Sequence, residues 1–237
     1  MLLAVILIPL ISALILPLFK FGNRKGLCAV VCIIETAVAA FTVAMFASGT
    51  EESVTVWSLS DTMKISFASD GLSRLMAMLI GCGWLLCAVF ASVYMKHETK
   101  ERSFYSFMLL SQAFSLGVMF ADNLIVLYIM FEATTLCSMP LVLHNRKKES
   151  VRAAKSYLFY SVGGAFLALL GIVLIYKSCP TFDFKFGGVL TGEASLSALA
   201  GLLLTVIGFG AKAGMFPLHA WLPAAHPVAP APASALL

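Results

Sequence analysis

The chain has 237 residues, 60% of them hydrophobic and only 12% charged, with a mean hydropathy of +0.96. A soluble globular domain carries about 25% charged residues, so this composition excludes one and points to an all-α integral membrane protein, a multi-span helical bundle. The formal net charge of +4 selects no partner by itself, and no run of basic residues interleaved with aromatics points to nucleic acid.

Apolar stretches follow one another at 2–19, 27–46, 72–94, 104–121, 123–143 and 153–176, which read as six full spans, and a seventh occupies 196–217. Each is near the length that crosses a hydrocarbon core of about 30 Å at about 1.5 Å rise per residue. The first has no basic leader and no obvious small-residue cleavage site, and more spans follow, so it reads as a retained helix rather than a signal peptide. A short strand is expected around 54–57, in the longest loop. Asp70, in DGLS, is the expected cap of the third helix, and Asp122, in a tight turn, a candidate cap of the fifth. After Pro217 the tract PLHAWLPAAHPVAPAPASALL carries Pro217, Pro223, Pro227, Pro230 and Pro232. Prolines at that density rule out one continuous helix. They predict a break, an irregular passage and the start of another helix.

Loop charges predict the topology. Lys20, Arg24 and Lys25 follow the first span; Lys96, Lys100 and Arg102 outnumber two acids after the third; Arg146, Lys147, Lys148, Arg152 and Lys155 stand against Glu149 alone after the fifth. The alternate loops differ: Glu51, Glu52, Asp61 and Asp70 face only Lys64, and 177–193 is balanced. Basic loops face the cytoplasm, which places the N-terminus outside.

Glu132 sits in the middle of NLIVLYIMFEATTLCSMPLVL, and Lys212 lies inside another apolar stretch. An ionisable group at membrane depth costs several kcal/mol unless paired or hydrated, and two of opposite sign point to proton or ion transport. Glu132 could instead be a structural carboxylate bonded to a neighbouring helix. Lys212, in GFGAKAGMFP, is flanked by Gly208, Gly210, Gly214 and Pro217, a pattern of interrupted helices at transporter sites. The plainer reading is a lysine reaching to the cytoplasmic interface. The glycines do not have the spacing of a phosphate loop. His219 and His226 flank the break and could relay protons, or simply bond to backbone. Lys155 opens the sixth span as an interface anchor or as a further charge near Glu132. Glu35 is another intramembrane acid, with no partner visible in the sequence; His97 and His144 look interfacial. The six cysteines form no CxxC pair and read as small buried apolar residues, so no metal or iron–sulfur site is expected.

ADNLIVLYIMFEATTLCS and GAKAGMFPLHAWLPAAHPVAPAPASALL resemble the fifth-helix signature and the broken seventh helix of the antiporter-like subunits. These occur in respiratory complex I, membrane-bound [NiFe] hydrogenases with the formate hydrogenlyase branch, and Mrp-type Na⁺/H⁺ antiporters. The resemblance runs from the first span to the last residue. It implies three N-terminal helices (1–103) followed by the first of two inverted five-helix repeats (104–237, incomplete). It also implies that Glu132 and Lys212 form a charge pair whose separation drives proton movement through a half-channel. Phe131 replaces a usual tryptophan, and SYLFYSVGGAFL in the sixth helix is uncharged, leaving Lys155 as its cation. The chain stops at Leu237, at the expected start of helix eight. Either a separate chain supplies the second repeat, or this is a truncated product.

The function implied is that of a non-catalytic, proton-translocating subunit of a redox-driven complex in a prokaryotic inner membrane. Its partners would be other membrane subunits, some bearing the redox centres, and it would bind no cofactor itself. Glu132 and Lys212 would trade the proton, with Lys155, His219 and His226 as secondary candidates. The alternatives are a cation/proton antiporter subunit of the Mrp type and a non-conducting structural subunit.

Overall fold

The computed structural model describes residues 1–19, 21–60, 63–185, 187–188 and 195–237. Lys20, Asp61 and Glu193, counted in the loop charges above, lie outside the described residues. The chain is a bundle of α1 (Leu2–Ile15), α2 (Arg24–Ser48), α3 (Gly71–Tyr94), α4 (Glu101–Met119), α5 (Leu124–Val142), α6 (Lys148–Ser178) and α7 (Leu196–Lys212). Two short helices follow, α8 (Leu222–Ala225) and α9 (Ala231–Leu236). Among the described residues four helices are long and apolar enough to cross a membrane: α2, α3 with the 3-10 turn after it, α5 and α6. Large apolar side chains such as Leu86, Val93, Phe159 and Phe166 are exposed on the outer faces, which water would penalise and a lipid or subunit environment would not.

Two expected spans are shorter than the apolar pattern. α1 has 14 residues, about 21 Å of helix, because the helical hydrogen bonds stop near Leu16 and Pro17 follows. α7 ends at Lys212 rather than at 217. Conversely α6 starts at Lys148 and runs for 31 residues, about 46 Å. Lys155 is therefore two turns inside a helix and not at its opening.

Capping places the ends. Asp70 caps α3 as expected, accepting from Ser73 N–H at 2.7 Å while Ser73 Oγ accepts from Asp70 N–H at 2.8 Å. At α5 the cap is Asn123 and not Asp122: Asn123 Oδ1 accepts from Val126 N–H at 2.9 Å. The Asn123 amide also donates to Lys64 O and Ser66 Oγ. A carboxylate has no N–H for that second task.

The expected strand is one half of an antiparallel hairpin, β1 (Ser53–Ser58) with β2 (Lys64–Ala68), its register irregular between Thr55 and Trp57. β2 bonds to the α4–α5 turn through Ala68 N–H to Phe120 O and Asp122 N–H to Ser66 O, and Leu124 N–H reaches Phe182 O. The N-terminal ammonium bonds to Glu52 Oε2 at 2.9 Å. Thus the N-terminus, the acidic hairpin, the α4–α5 turn and the segment after α6 meet at one end of the bundle. At the other end Arg24 pairs with Glu101 and donates to Ser92 O.

α6 and α7 make the closest helix contact. Gly164 and Ala168 of α6 meet Gly208 and Ala211 of α7, and Gly171 meets Gly201 and Thr205. A Cβ on Gly208 would strike the backbone of Gly164 and Ala168. Small residues let helix backbones approach and gain packing energy where lipid supplies no hydrophobic drive. This contact holds Lys212, at the end of α7, beside α6.

Candidate functional site

α7 breaks in a defined way. Gly214 has φ 75°, a left-handed conformation that glycine adopts without strain, and a Cβ there would collide with Leu222. A 3-10 turn, Leu218–Trp221, follows. Trp221 is fully buried, and its indole N–H donates to Ala211 O at 2.9 Å. The break thus leaves a carbonyl of the last helical turn bonded by a side chain, as a helix ending in an apolar medium requires.

The break places the Lys212 ammonium against α5. Nζ donates to Thr135 Oγ1 at 2.7 Å and lies 5.3 Å from the Phe131 ring and 5.7 Å from the Tyr157 ring. Thr135 is fully buried. The aromatic faces stabilise the cation by their quadrupoles, and Phe131 is itself braced edge-on by Phe209. Glu132 lies one turn before Thr135 on α5. Its Oε1 is buried and has no hydrogen-bond donor among the described residues. No ion pair joins Glu132 and Lys212 within 4.0 Å: the ion pairs among the described residues are Met1–Glu52 and Arg24–Glu101. The two charges are nonetheless close enough to act on each other electrostatically.

Two further hydroxyls lie beside this point. Tyr157 of α6, fully buried, has its Oη 2.6 Å from Ser138 Oγ, and its ring packs edge-on against Trp221. Ser138 is one turn beyond Thr135. Glu132, Thr135 and Ser138 therefore step along α5 toward Lys212 and Tyr157.

The other expected site residues lie elsewhere. Lys155 is exposed and lines an apolar groove of about 760 Å³ with Phe159, Phe166 and Leu218. His219 is exposed and stacks on Phe216. His226 is half-buried, its Nδ1 2.8 Å from Ser234 Oγ and its ring parallel to Trp221. None of the three has a bond to Glu132 or Lys212 among the described residues. Glu35, read as partnerless, has a partner: Gln112 of α4 donates to it at 2.7 Å. Thr135 and Ser138 were within reach of sequence reasoning, since residues three apart share a helix face. Tyr157 and Trp221 were not, because no pattern says which uncharged aromatic of another segment meets the lysine. Among the described residues no group of His, Cys, Asp and Glu is placed to hold a metal ion.

Residues 121–237 match the family model described as NADH:quinone oxidoreductase/Mrp antiporter, TM. The chain is 33% identical over 175 residues to hydrogenase-4 component B of Escherichia coli (strain K12), which covers 73% of this chain and 26% of that protein. It is 30% identical over 241 residues to a Na⁺/H⁺ antiporter subunit of Alkalihalophilus pseudofirmus, covering 97% of this chain and 29% of that protein. The fold matches a chain of the membrane-bound sulfane sulfur reductase, an archaeal respiratory membrane complex, with a TM-score of 0.85 at 22% identity over 98% of this chain and 49% of that one. The chain spans between a quarter and a third of the length of these curated relatives. Its broken seventh helix, its helical bundle and the family match agree: the chain belongs to the antiporter-like membrane subunits of the NADH:quinone oxidoreductase/Mrp antiporter family.

Proposed function

We propose that this chain moves protons as part of a redox-driven membrane complex, through the Glu132–Lys212 pair. The observation that carries the reading is the Lys212 ammonium bonded to the neutral hydroxyl of Thr135 at 2.7 Å, one turn from a carboxylate whose Oε1 has no donor among the described residues. A cation with two acceptors of different charge within one helical turn has two resting places. Bonded to Glu132 it forms an ion pair; bonded to Thr135 it leaves that pair open. Separating the pair removes the Coulomb attraction that keeps both groups ionised, so transfer of a proton from Lys212 to Glu132 becomes favourable in that arrangement. Thr135, Ser138 and Tyr157 supply hydroxyls along which the next proton arrives. His226 at the break and Lys155 on the outer face of α6 are secondary proton carriers, and His219 is the exposed entry.

In this reading the basic loops face the cytoplasm of a prokaryote, the N-terminus is outside, and electrons pass through partner subunits. Residues 1–103 brace the first repeat that begins at 104. The test is proton uptake into vesicles holding the assembled complex. Glu132→Gln and Lys212→Ala abolish it while assembly of the complex and electron transfer persist; unchanged uptake in both variants would falsify the reading. A sodium-coupled antiporter is favoured by one observation, the match to the Na⁺/H⁺ antiporter protein of Alkalihalophilus pseudofirmus over 97% of the chain. It requires that proton flux stop when sodium is removed.

A further inference from the structure

Apart from the Glu132–Lys212 pair, the bundle buries another carboxyl group at mid-helix. Glu35 of α2 and Gln112 of α4 are both 0% exposed. Gln112 Nε2 donates to Glu35 Oε2 at 2.7 Å. The other oxygen of each group, Glu35 Oε1 and Gln112 Oε1, is buried without a donor among the described residues.

We propose that Glu35 and Gln112 form a second proton-binding site of this chain, in which Glu35 holds a proton as a neutral acid beside the carboxamide. The hydrogen-bond inventory carries the inference. A carboxamide offers two donors and one oxygen acceptor; an ionised carboxylate offers acceptors only. With one N–H shared between them, an ionised Glu35 leaves two acceptor oxygens and a full negative charge in an apolar interior. A protonated Glu35 has one O–H and one C=O. It matches the carboxamide donor for acceptor: N–H to the acid carbonyl, O–H toward the amide oxygen. The proton adds to Oε1, the oxygen to which the Gln112 N–H does not donate.

Among the described residues the surroundings hold no compensating cation. α1 has no ionisable side chain. On α2 the titratable neighbour is Cys32, and on α3 it is Cys87, which donates to Pro232 O. Cys28 on α2 and Tyr105 on α4 are bonded to each other. The basic groups of these helices are engaged or at the ends: Arg24 with Glu101, Arg74 with Thr50 O. No lysine, arginine or histidine is within 4.0 Å of Glu35 among the described residues. An unpaired buried carboxylate costs several kcal/mol and takes up a proton instead.

The site is distinct from the Glu132–Lys212 relay, so its test does not depend on that reading. The experiment is infrared spectroscopy of the purified, assembled complex at neutral pH, in H₂O and after exchange into D₂O. The expected result is a C=O stretch of a protonated carboxyl that shifts in D₂O, is missing in Glu35→Gln, and moves to higher frequency in Gln112→Leu, where the carbonyl has lost its N–H donor. The Gln112→Leu arm leaves the proposal testable if Glu35→Gln does not assemble. Two results overturn it: no carboxyl band in the wild-type complex that either variant alters, which means an ionised Glu35, or displacement of the band by added sodium, which means a cation site.

Discussion

Replacing Thr135 by Val removes one hydroxyl and keeps the branched shape of the side chain. Thr135 is fully buried, and its Oγ1 accepts from Lys212 Nζ at 2.7 Å while donating to Phe131 O at 3.2 Å. Losing an acceptor for a buried ammonium costs about 1.5–3 kcal/mol. The remaining neighbours, the Phe131 and Tyr157 rings at 5.3 and 5.7 Å, recover only part of this, about 0.5–2 kcal/mol being typical of such contacts, and they are present before the change as well. The Thr135-bound position of Lys212 is thus disfavoured relative to the Glu132-bound one by the lost bond. If separation of the pair limits turnover, about 1.5–3 kcal/mol corresponds to a rate lower by roughly one to two decades. The assay is the initial rate of proton uptake by vesicles carrying the assembled complex. Thr135→Ser, which keeps the hydroxyl, retains most of the rate. Wild-type uptake by Thr135→Val, with the protein correctly assembled, shows that the Thr135 bond does not hold the open state and refutes the reasoning.

Three further outcomes follow from other parts of the structure. Gly208→Ala puts a Cβ against Gly164 O and the Ala168 backbone, so it lowers the thermal stability of the protein by about 1–3 kcal/mol, and α6 and α7 separate enough to cut cross-linking between engineered cysteines on them. Asp70→Ala loses the cap of α3 and costs about 1 kcal/mol, read as a lower denaturation midpoint with assembly retained. His144, buried beneath the Phe104 ring beyond the end of α5, is held below its ordinary range chiefly by that burial. An unfolded chain takes up this proton near about pH 6.5 and the folded one resists it. Its contribution is therefore complete above about pH 6.5 and lost as the pH falls toward the lower folded value, so His144→Gln flattens the acid side of the stability profile.

The sequence by itself determined the membrane class, the order of the helices, the existence of a break at the end of the seventh apolar stretch and the two charges Glu132 and Lys212 within apolar stretches; that the helix already ends at Lys212 came from the structure. Apolar length, proline density and the cost of a charge in hydrocarbon are local properties, and they hold whatever packs against them. Asp70 was legible as a cap for the same reason: a cap bonds within three residues of itself. What only the tertiary structure decided are relations between segments. Asn123 caps α5 because its amide also ties down the hairpin at Lys64 and Ser66, and nothing near Asp122 in the chain says that the hairpin will be there. Glu35 finds Gln112, 77 positions away, and Lys212 finds Thr135, also 77 positions away. Tyr157 lies against the lysine and Trp221 backs Tyr157, although neither carries a charge to mark it. The physical reason is range. Helix formation and membrane insertion are decided within a turn or a span, whereas the partner of a buried carboxyl or ammonium is fixed by which helix faces meet, α2 with α4 for Glu35 and α5 with α7 for Lys212.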